Sequence, residues 1–262
     1  MKFIVKKFRF EFWPSDIWRA LFLLLIFVYI TLVYMEMIKN YPKKTFDHAV
    51  VAVDAVIFTV KENKLHALLL ELKESPYQGK WAIPGGLVTN SETLEESAHR
   101  HLFDKTNIEN AYIEQLYTFG DPNRDPNGWV VSVAYMALVT ENLSDIKTSD
   151  RYKSLAWKAI DDLPDLAYDH KQIVEMAYKR LQNKLSYTNI VYTLLPDEFT
   201  LSELQTVYEI ILDKELDKRN FRKKLNALNI LEELPKKRSE GAHRPAQLFK
   251  FKDESPVEID IL

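Results

Sequence analysis

The chain has 262 residues, enough for two small domains that each bury a core. A hydrophobic share of 47% and a charged share of 28% mark an ordinary globular protein and exclude an intrinsically disordered one. The net charge of −3 gives no global attraction to nucleic acid, so any basic surface has to be local, and the lack of cysteine excludes disulfides, thiolate zinc sites and cysteine nucleophiles.

Ala20 to Met35 is an uncharged, mostly apolar run bounded by Arg19 and Glu36. At about 1.5 Å per residue it falls a little short of a ~30 Å hydrocarbon core, although Trp13, Trp18, Tyr29 and Tyr34 suit the interfaces. No small-residue cleavage site follows, which argues against a removable signal. Two readings stay open: a membrane anchor through residues 20–35, or an upstream extension of a cytoplasmic protein whose natural start is Met35 or Met37. Residues 1–44 are accordingly set apart as an N-terminal extension.

After the basic linker Tyr41-Pro-Lys-Lys44 the pattern becomes that of strands. His48 to Val60 and Leu65 to Leu72 are rich in Val, Ile, Leu and Ala around a polar Lys61-Glu-Asn-Lys64 turn. Tyr112 to Thr118, Val130 to Val139 and Ser154 to Ile160 read as three more. Between them, Thr93 with Glu96 makes a capping box, and Leu94, Ala98 and Leu102 form the apolar stripe of a helix packed on a sheet. An α/β sandwich is expected over residues 45–165, followed by a connecting helix over 166–186 with Ile173, Met176, Ala177 and Leu181 on one face.

The segment Gly86-Leu-Val-Thr-Asn-Ser-Glu92 through Arg100 to Ile108 carries the most specific signal. It resembles the pyrophosphate-cleaving box of the Nudix hydrolases, G-x5-E-x7-R-E-U-x-E-E-x-G-U, in frame and in aliphatic positions. In the intact box three glutamates at i, i+3 and i+4 share one helix face and converge on a divalent cation, which wants hard oxygen ligands. Those positions here are His101, Asp104 and Lys105, so the frame is kept and the cation-holding face is lost. Neither a cofactor nor a metal is expected, and metal-assisted hydrolysis is the rival reading, since Glu92, Glu95 and Glu96 stand nearby. Pro84-Gly85-Gly86 allows the backbone to approach a ligand closely, or merely shapes a turn.

Beyond Ser186 a second pattern begins. Thr200 with Glu203 forms another capping box, and Leu201, Leu204, Val207, Tyr208 and Ile211 trace one helix face. Four residues later Asp217 is a good N-cap for a helix whose core side is Phe221, Leu225 and Leu228. That pattern is a helix-turn-helix candidate, and Ile230-Leu231 with Gln247 to Phe251 would pair as a wing around a tip holding Lys236, Lys237, Arg238 and Arg244. Between Lys218 and Lys252 there are eleven Lys or Arg against the acids Glu232, Glu233 and Glu240, a clustering that counterion release at phosphates rewards.

With both halves in view, the chain resembles the Nudix-related transcriptional regulators, the NrtR family. The matching segments are Trp81 to Gly86, Phe119 to Pro126, Val130 to Tyr135, Tyr187 to Ile190, Phe199 to Leu204, Asp217 to Arg222 and Arg244 to Leu248. The resemblance implies an α+β protein, a Nudix-type α/β/α sandwich with a mixed sheet followed by a winged helix-turn-helix over residues 187–262. It also implies a homodimeric repressor that binds a palindromic site in double-stranded DNA, in the cytoplasm, and answers to a small effector. ADP-ribose is the effector expected where NAD metabolism is controlled, and a sugar such as arabinose in some relatives. Lys80, Gly85, Gly86, Arg100, Arg124 and Asp125 are the candidate ligand residues: Arg124 to clamp phosphate, Asp125 to accept sugar hydroxyls, Lys80 and Arg100 to add positive charge. A pair with Glu92 is the stronger reading for Arg100, and a turn ion pair the alternative for Arg124. For DNA, Arg219, Asn220 and Arg222 are candidates for base edges, with Lys218, Lys223 and the wing cations Lys236, Lys237, Arg238 and Arg244 on phosphates.

Overall fold

The computed structural model describes residues 24–26, 28–29, 31, 48–109, 111–140, 146–239 and 245–259. Most of the apolar run at residues 20–35, and Arg244 in the wing, lie outside that set. Among the described residues no helix is long and apolar enough to cross a membrane.

Residues 48–262 form one compact unit. Its first part is a mixed sheet made of β1 (Val50–Lys61), β2 (Lys64–Leu72), β3 (Trp81–Ala82), β4 (Gly85–Leu87), β5 (Tyr112–Phe119), β6 (Val130–Leu138) and β7 (Tyr152–Ala159). The order β3-β2-β1-β6-β5 has β1 and β6 parallel at its centre and β2 and β5 antiparallel outside them. β4 pairs with β1 at Ala52–Asp54, and β7 runs antiparallel along β2 from His66 to Leu72. Five strands are read from sequence within two residues of these bounds, whereas β3 and β4 are too short to show a period.

The sheet lies between α1 (Leu94–Thr106) and α2 (His170–Tyr187). Successive side chains of a strand point to opposite faces, so Val53, Ala55 and Ile57 of β1 meet Ala98 and Leu102 of α1, while Val56 and Phe58 meet the α2 side. Both faces are buried, which is why β1 is an almost unbroken apolar run. α1 begins at the expected capping box, Thr93 accepting from the Glu96 backbone N–H and Glu96 from that of Thr93, and ends on Asn107 in the left-handed region.

α2 belongs to two layers at once. Its Ile173, Ala177, Leu181 and Leu185 join one continuous hydrophobic cluster that includes the sheet and also Leu204, Tyr208, Ile211 and Phe221 further along the chain. Those last residues sit on α3 (Leu201–Leu212) and α4 (Lys218–Leu228), which with β8 (Phe199–Thr200), β9 (Leu231–Arg238) and β10 (Ala246–Phe251) make the second part. β8, β10 and β9 form a small antiparallel sheet in that order. The Gln182 amide on α2 donates to the Ile211 carbonyl at the end of α3, 3.0 Å away. Buried Asn189 ties the tail down: its amide donates to the Ser255 carbonyl and its oxygen accepts from the Val257 N–H.

Candidate functional site

The glycine pair is shaped by close approach rather than by unusual backbone angles. A Cβ on Gly85 would lie 2.0 Å from Asp54 Oδ1 and 2.5 Å from the Val53 carbonyl oxygen, so no larger residue fits without moving β1. A Cβ on Gly86 would lie 2.5 Å from the His101 ring. The imidazole standing in the first metal-binding position of the box is thus folded over Gly86, and its Nε2 is 3.0 Å from the Leu87 carbonyl. The same nitrogen lies 3.2 Å from Arg100 Nη2, so it stands between an obligate acceptor and an obligate donor. Burial, with Lys105 and Arg100 nearby, lowers the pKa of His101.

Glu92 and Glu96 are committed elsewhere. Glu92 accepts from Arg100 Nε at 2.7 Å and Nη2 at 2.6 Å in a bidentate pair, and from the Thr89 N–H at 2.8 Å. These bonds hold the Glu92 carboxyl far below the usual carboxylate range. Glu96 is occupied by the capping box, and Asp104 faces Arg100 at 3.9 Å. A divalent cation does not fit this donor set. Position i is an imidazole in place of a carboxylate, already held between the Leu87 carbonyl and Arg100, position i+4 is an ammonium, and among the described residues no group of three His, Asp or Glu is placed to hold a metal ion. Arg100 is thus engaged by Glu92.

A second cluster lies behind the glycines. Arg124, on the loop between β5 and β6, donates to both oxygens of Asp169 at 2.9 and 2.7 Å and to Asp54 Oδ2 at 3.2 Å. The side chains of Arg124, Asp54 and Asp169 are only 4%, 9% and 12% exposed, so this is a buried ion triad rather than a surface turn pair. Ser132 donates to the same Asp54 oxygen at 2.6 Å. His170 closes the group: the Ile83 N–H donates to its Nδ1 at 3.2 Å, which fixes the neutral tautomer with the proton on Nε2, 3.7 Å from Asp54. Burial pushes the His170 pKa down, in agreement with that assignment.

Of the other expected ligand residues, Lys80 is at the surface, 3.5 Å from Asp165. Asp125 uses Oδ1 to turn its loop, accepting from the Asn127 N–H and side-chain amide at 2.8 and 3.0 Å. Sequence reasoning missed Asp54, Ser132, Asp169 and His170. Asp54 had a signal, since a lone acid inside the run Val50–Val60 needs a buried partner. Tyr77 and Tyr168 had none. Their ring centroids lie 4.5 Å apart with the planes tilted by 57°, the Tyr168 ring lies 5.0 Å from that of His170, and Tyr168 has φ 54°, a backbone region that a bulky side chain rarely adopts. A cavity of about 610 Å³ lies elsewhere, between the β1–β2 turn and the start of α3, and none of the expected ligand residues lines it.

The basic half sorts itself by exposure. Asp217 caps α4 by accepting from the Asn220 N–H at 2.8 Å, and Asp213 ends α3 in the left-handed region, so the turn forms as its residues dictate. Lys218, Arg219, Asn220 and Lys223 project from α4 exposed, and Arg222 is half-buried with its Nε lacking a hydrogen-bond partner. Cations in a first turn oppose the helix dipole, an arrangement that an external anion relieves. The wing strand is longer than the sequence pattern shows, so Lys236, Lys237 and Arg238 lie in β9 and not at a tip. Lys236 and Arg238 share one face and pair with Glu198, at 2.6 Å, and with Glu203. Lys237 is left on the other face, exposed.

A mixed sheet between α1 and α2 with a box-like helix beside a glycine turn is the Nudix architecture, and here it shares its core with a winged helix. Residues 48–177 match the NUDIX domain family and residues 191–251 the NrtR DNA-binding winged helix domain. The chain is 37% identical over 216 residues to the ADPR responsive transcriptional repressor NtrR of Acinetobacter baylyi, covering 81% of this chain and 86% of the relative. It superposes on Shewanella oneidensis NrtR complexed with a 27mer DNA with a TM-score of 0.66 at 36% identity, over 77% of this chain and 93% of that one. The Nudix half alone, 52% of the chain, is 35% identical to an ADP-ribose pyrophosphatase of Methanocaldococcus jannaschii, over 76% of that protein. This chain belongs to the NrtR family.

Proposed function

We propose that the protein is an ADP-ribose-responsive transcriptional repressor that holds its effector in the Nudix half without cleaving it, and binds operator DNA as a homodimer through the winged helices. The observation that carries this reading is the face of α1 where the box needs three carboxylates. It presents a neutral imidazole, one exposed Asp104 and an ammonium, while Glu92 is locked onto Arg100. The likeness to the Acinetobacter repressor over most of both chains supports the regulatory role and the effector class.

In this reading Gly85 and Gly86 admit the ligand close to the backbone, Asp125 accepts ribose hydroxyls and Lys80 adds charge at the rim. Arg124 acts from behind, by holding Asp54 and Asp169. On DNA, Arg219, Asn220 and Arg222 reach base edges, while Lys218, Lys223 and Lys237 meet phosphates. Lys236 and Arg238 reach phosphates only if Glu198 and Glu203 let go of them. A twofold dimer reads half-sites about one helical turn apart.

The test is a DNA-binding titration on a palindromic duplex selected by the protein from random sequence, with and without ADP-ribose. A shift in DNA affinity of about 5-fold to 150-fold is expected, with the reciprocal shift in ADP-ribose affinity that linkage requires. The kinship with the Methanocaldococcus pyrophosphatase favours a second reading as an active hydrolase. Turnover of ADP-ribose with Mg²⁺ at ordinary enzyme rates, about 1 to 10³ s⁻¹, would establish it and remove the sensor reading.

A further inference from the structure

Lys105 is the one residue of the altered face whose charge has no counterpart. Arg100 is neutralised by Glu92 and approached by Asp104, but among the described residues no carboxylate comes within ion-pair distance of the Lys105 ammonium. Its contact is instead the ring of Tyr152 at the start of β7, with Nζ 5.5 Å from the centroid. The residue is half-buried one helical turn after His101, and its positive charge adds to burial in lowering the pKa of both His101 and His170.

A half-buried ammonium without an anion is unfavourable, and the face of one tyrosine offsets only part of that cost. The position is also chemically marked. In the intact box the residue four places after the first carboxylate holds a divalent cation that bridges to substrate phosphates. Here the cation is covalently part of the chain.

We propose that Lys105 replaces the divalent metal, donating its ammonium hydrogens directly to the diphosphate oxygens of the effector. This assignment rests on the reading of the effector as a nucleoside diphosphate sugar. It accounts for retention without cleavage, because an ammonium neutralises phosphate charge but has no open coordination position at which to bind water and lower its pKa, as a metal does. Binding then requires no metal at all.

The experiment is calorimetric titration of the full chain with ADP-ribose, and separately with inorganic pyrophosphate, in EDTA and in Mg²⁺. Wild-type affinity is expected to be the same in both buffers. Lys105→Gln should weaken ADP-ribose binding by roughly tenfold to a hundredfold, as expected when a charge-assisted hydrogen bond to phosphate is lost, and Lys105→Arg should restore most of it. An unchanged thermal midpoint in Lys105→Gln separates lost contact from lost folding. Wild-type binding that needs Mg²⁺, or Lys105→Gln binding as tightly as wild type, overturns the assignment while leaving the sensor reading intact. Wild-type protein that binds neither ADP-ribose nor pyrophosphate overturns both.

Discussion

The two cationic regions of this protein are built in opposite ways. Arg124 is almost wholly buried and gives three hydrogen bonds to two carboxylates from distant parts of the chain. Lys218, Arg219 and Lys223 are exposed on one turn-and-a-half of α4. A buried charge survives only when paired, so Arg124 reports on the integrity of the fold around the pocket. An exposed cluster dominated by one sign of charge adds little to folding, in keeping with the proposed contact with a partner. The wing falls between these cases, with Lys236 and Arg238 tied to glutamates and Lys237 not.

The sharpest way to break this contrast is Arg124→Ala, which leaves Asp54 and Asp169 buried and uncompensated. It should cost about 3–5 kcal/mol of stability in urea denaturation, in keeping with the loss of one partner from a buried ion pair. A loss under about 1 kcal/mol would show that the triad behaves as a surface pair. Arg219→Ala should leave the urea midpoint in place and weaken binding to the selected duplex by about 1–3 kcal/mol, with relaxed preference at one base position. Equal weakening on every sequence would move Arg219 from base edges to phosphates.

His170 sharpens the contrast through pH. Its pKa is lowered in the folded protein, so below the ordinary value of about 6.5 the unfolded chain takes up the proton first. Stability therefore falls as pH drops from about 6.5 toward the folded pKa, by at most about 1.4 kcal/mol per pH unit for this one group, and is independent of His170 above that window. Denaturation midpoints measured at about pH 7 and about pH 5.5 should change less in His170→Asn than in wild type, and parallel changes would remove His170 as a source. The smallest effect expected is in the wing, where Lys237→Ala should reduce the salt slope of DNA binding by about one unit. Lys236→Ala should reduce it less, because that ammonium already has Glu198, and a reversed order would mean that the β9 pairs open on DNA.

Much of the fold is legible in the sequence because its signals are local. Both capping boxes, Thr93 with Glu96 and Thr200 with Glu203, form as written, since each needs only neighbours three residues apart. β4 is missed because its three residues pair with β1 and carry no period of their own. At the site, the loss of the carboxylate face is plain from spacing, whereas the triad behind it is not: Asp54, Arg124 and Asp169 stand 70 and 45 residues apart in the chain. Asp169 reads in isolation as an ordinary cap for α2, yet its side chain makes no capping bond and goes to Arg124.

By itself the sequence determined which helices form, which strands are buried on two faces, where cations cluster, and that the metal-binding positions hold His101, Asp104 and Lys105. These follow from periodicity and from the chemistry of single side chains, and both are written along the chain. Only the tertiary structure decided which charges have partners. It sealed Arg124 between Asp54 and Asp169, tied two of the three described wing cations to glutamates, and left Lys105 without a carboxylate among the described residues. The reason is that ion pairing depends on distance and burial, and both are set by contacts between elements far apart in sequence.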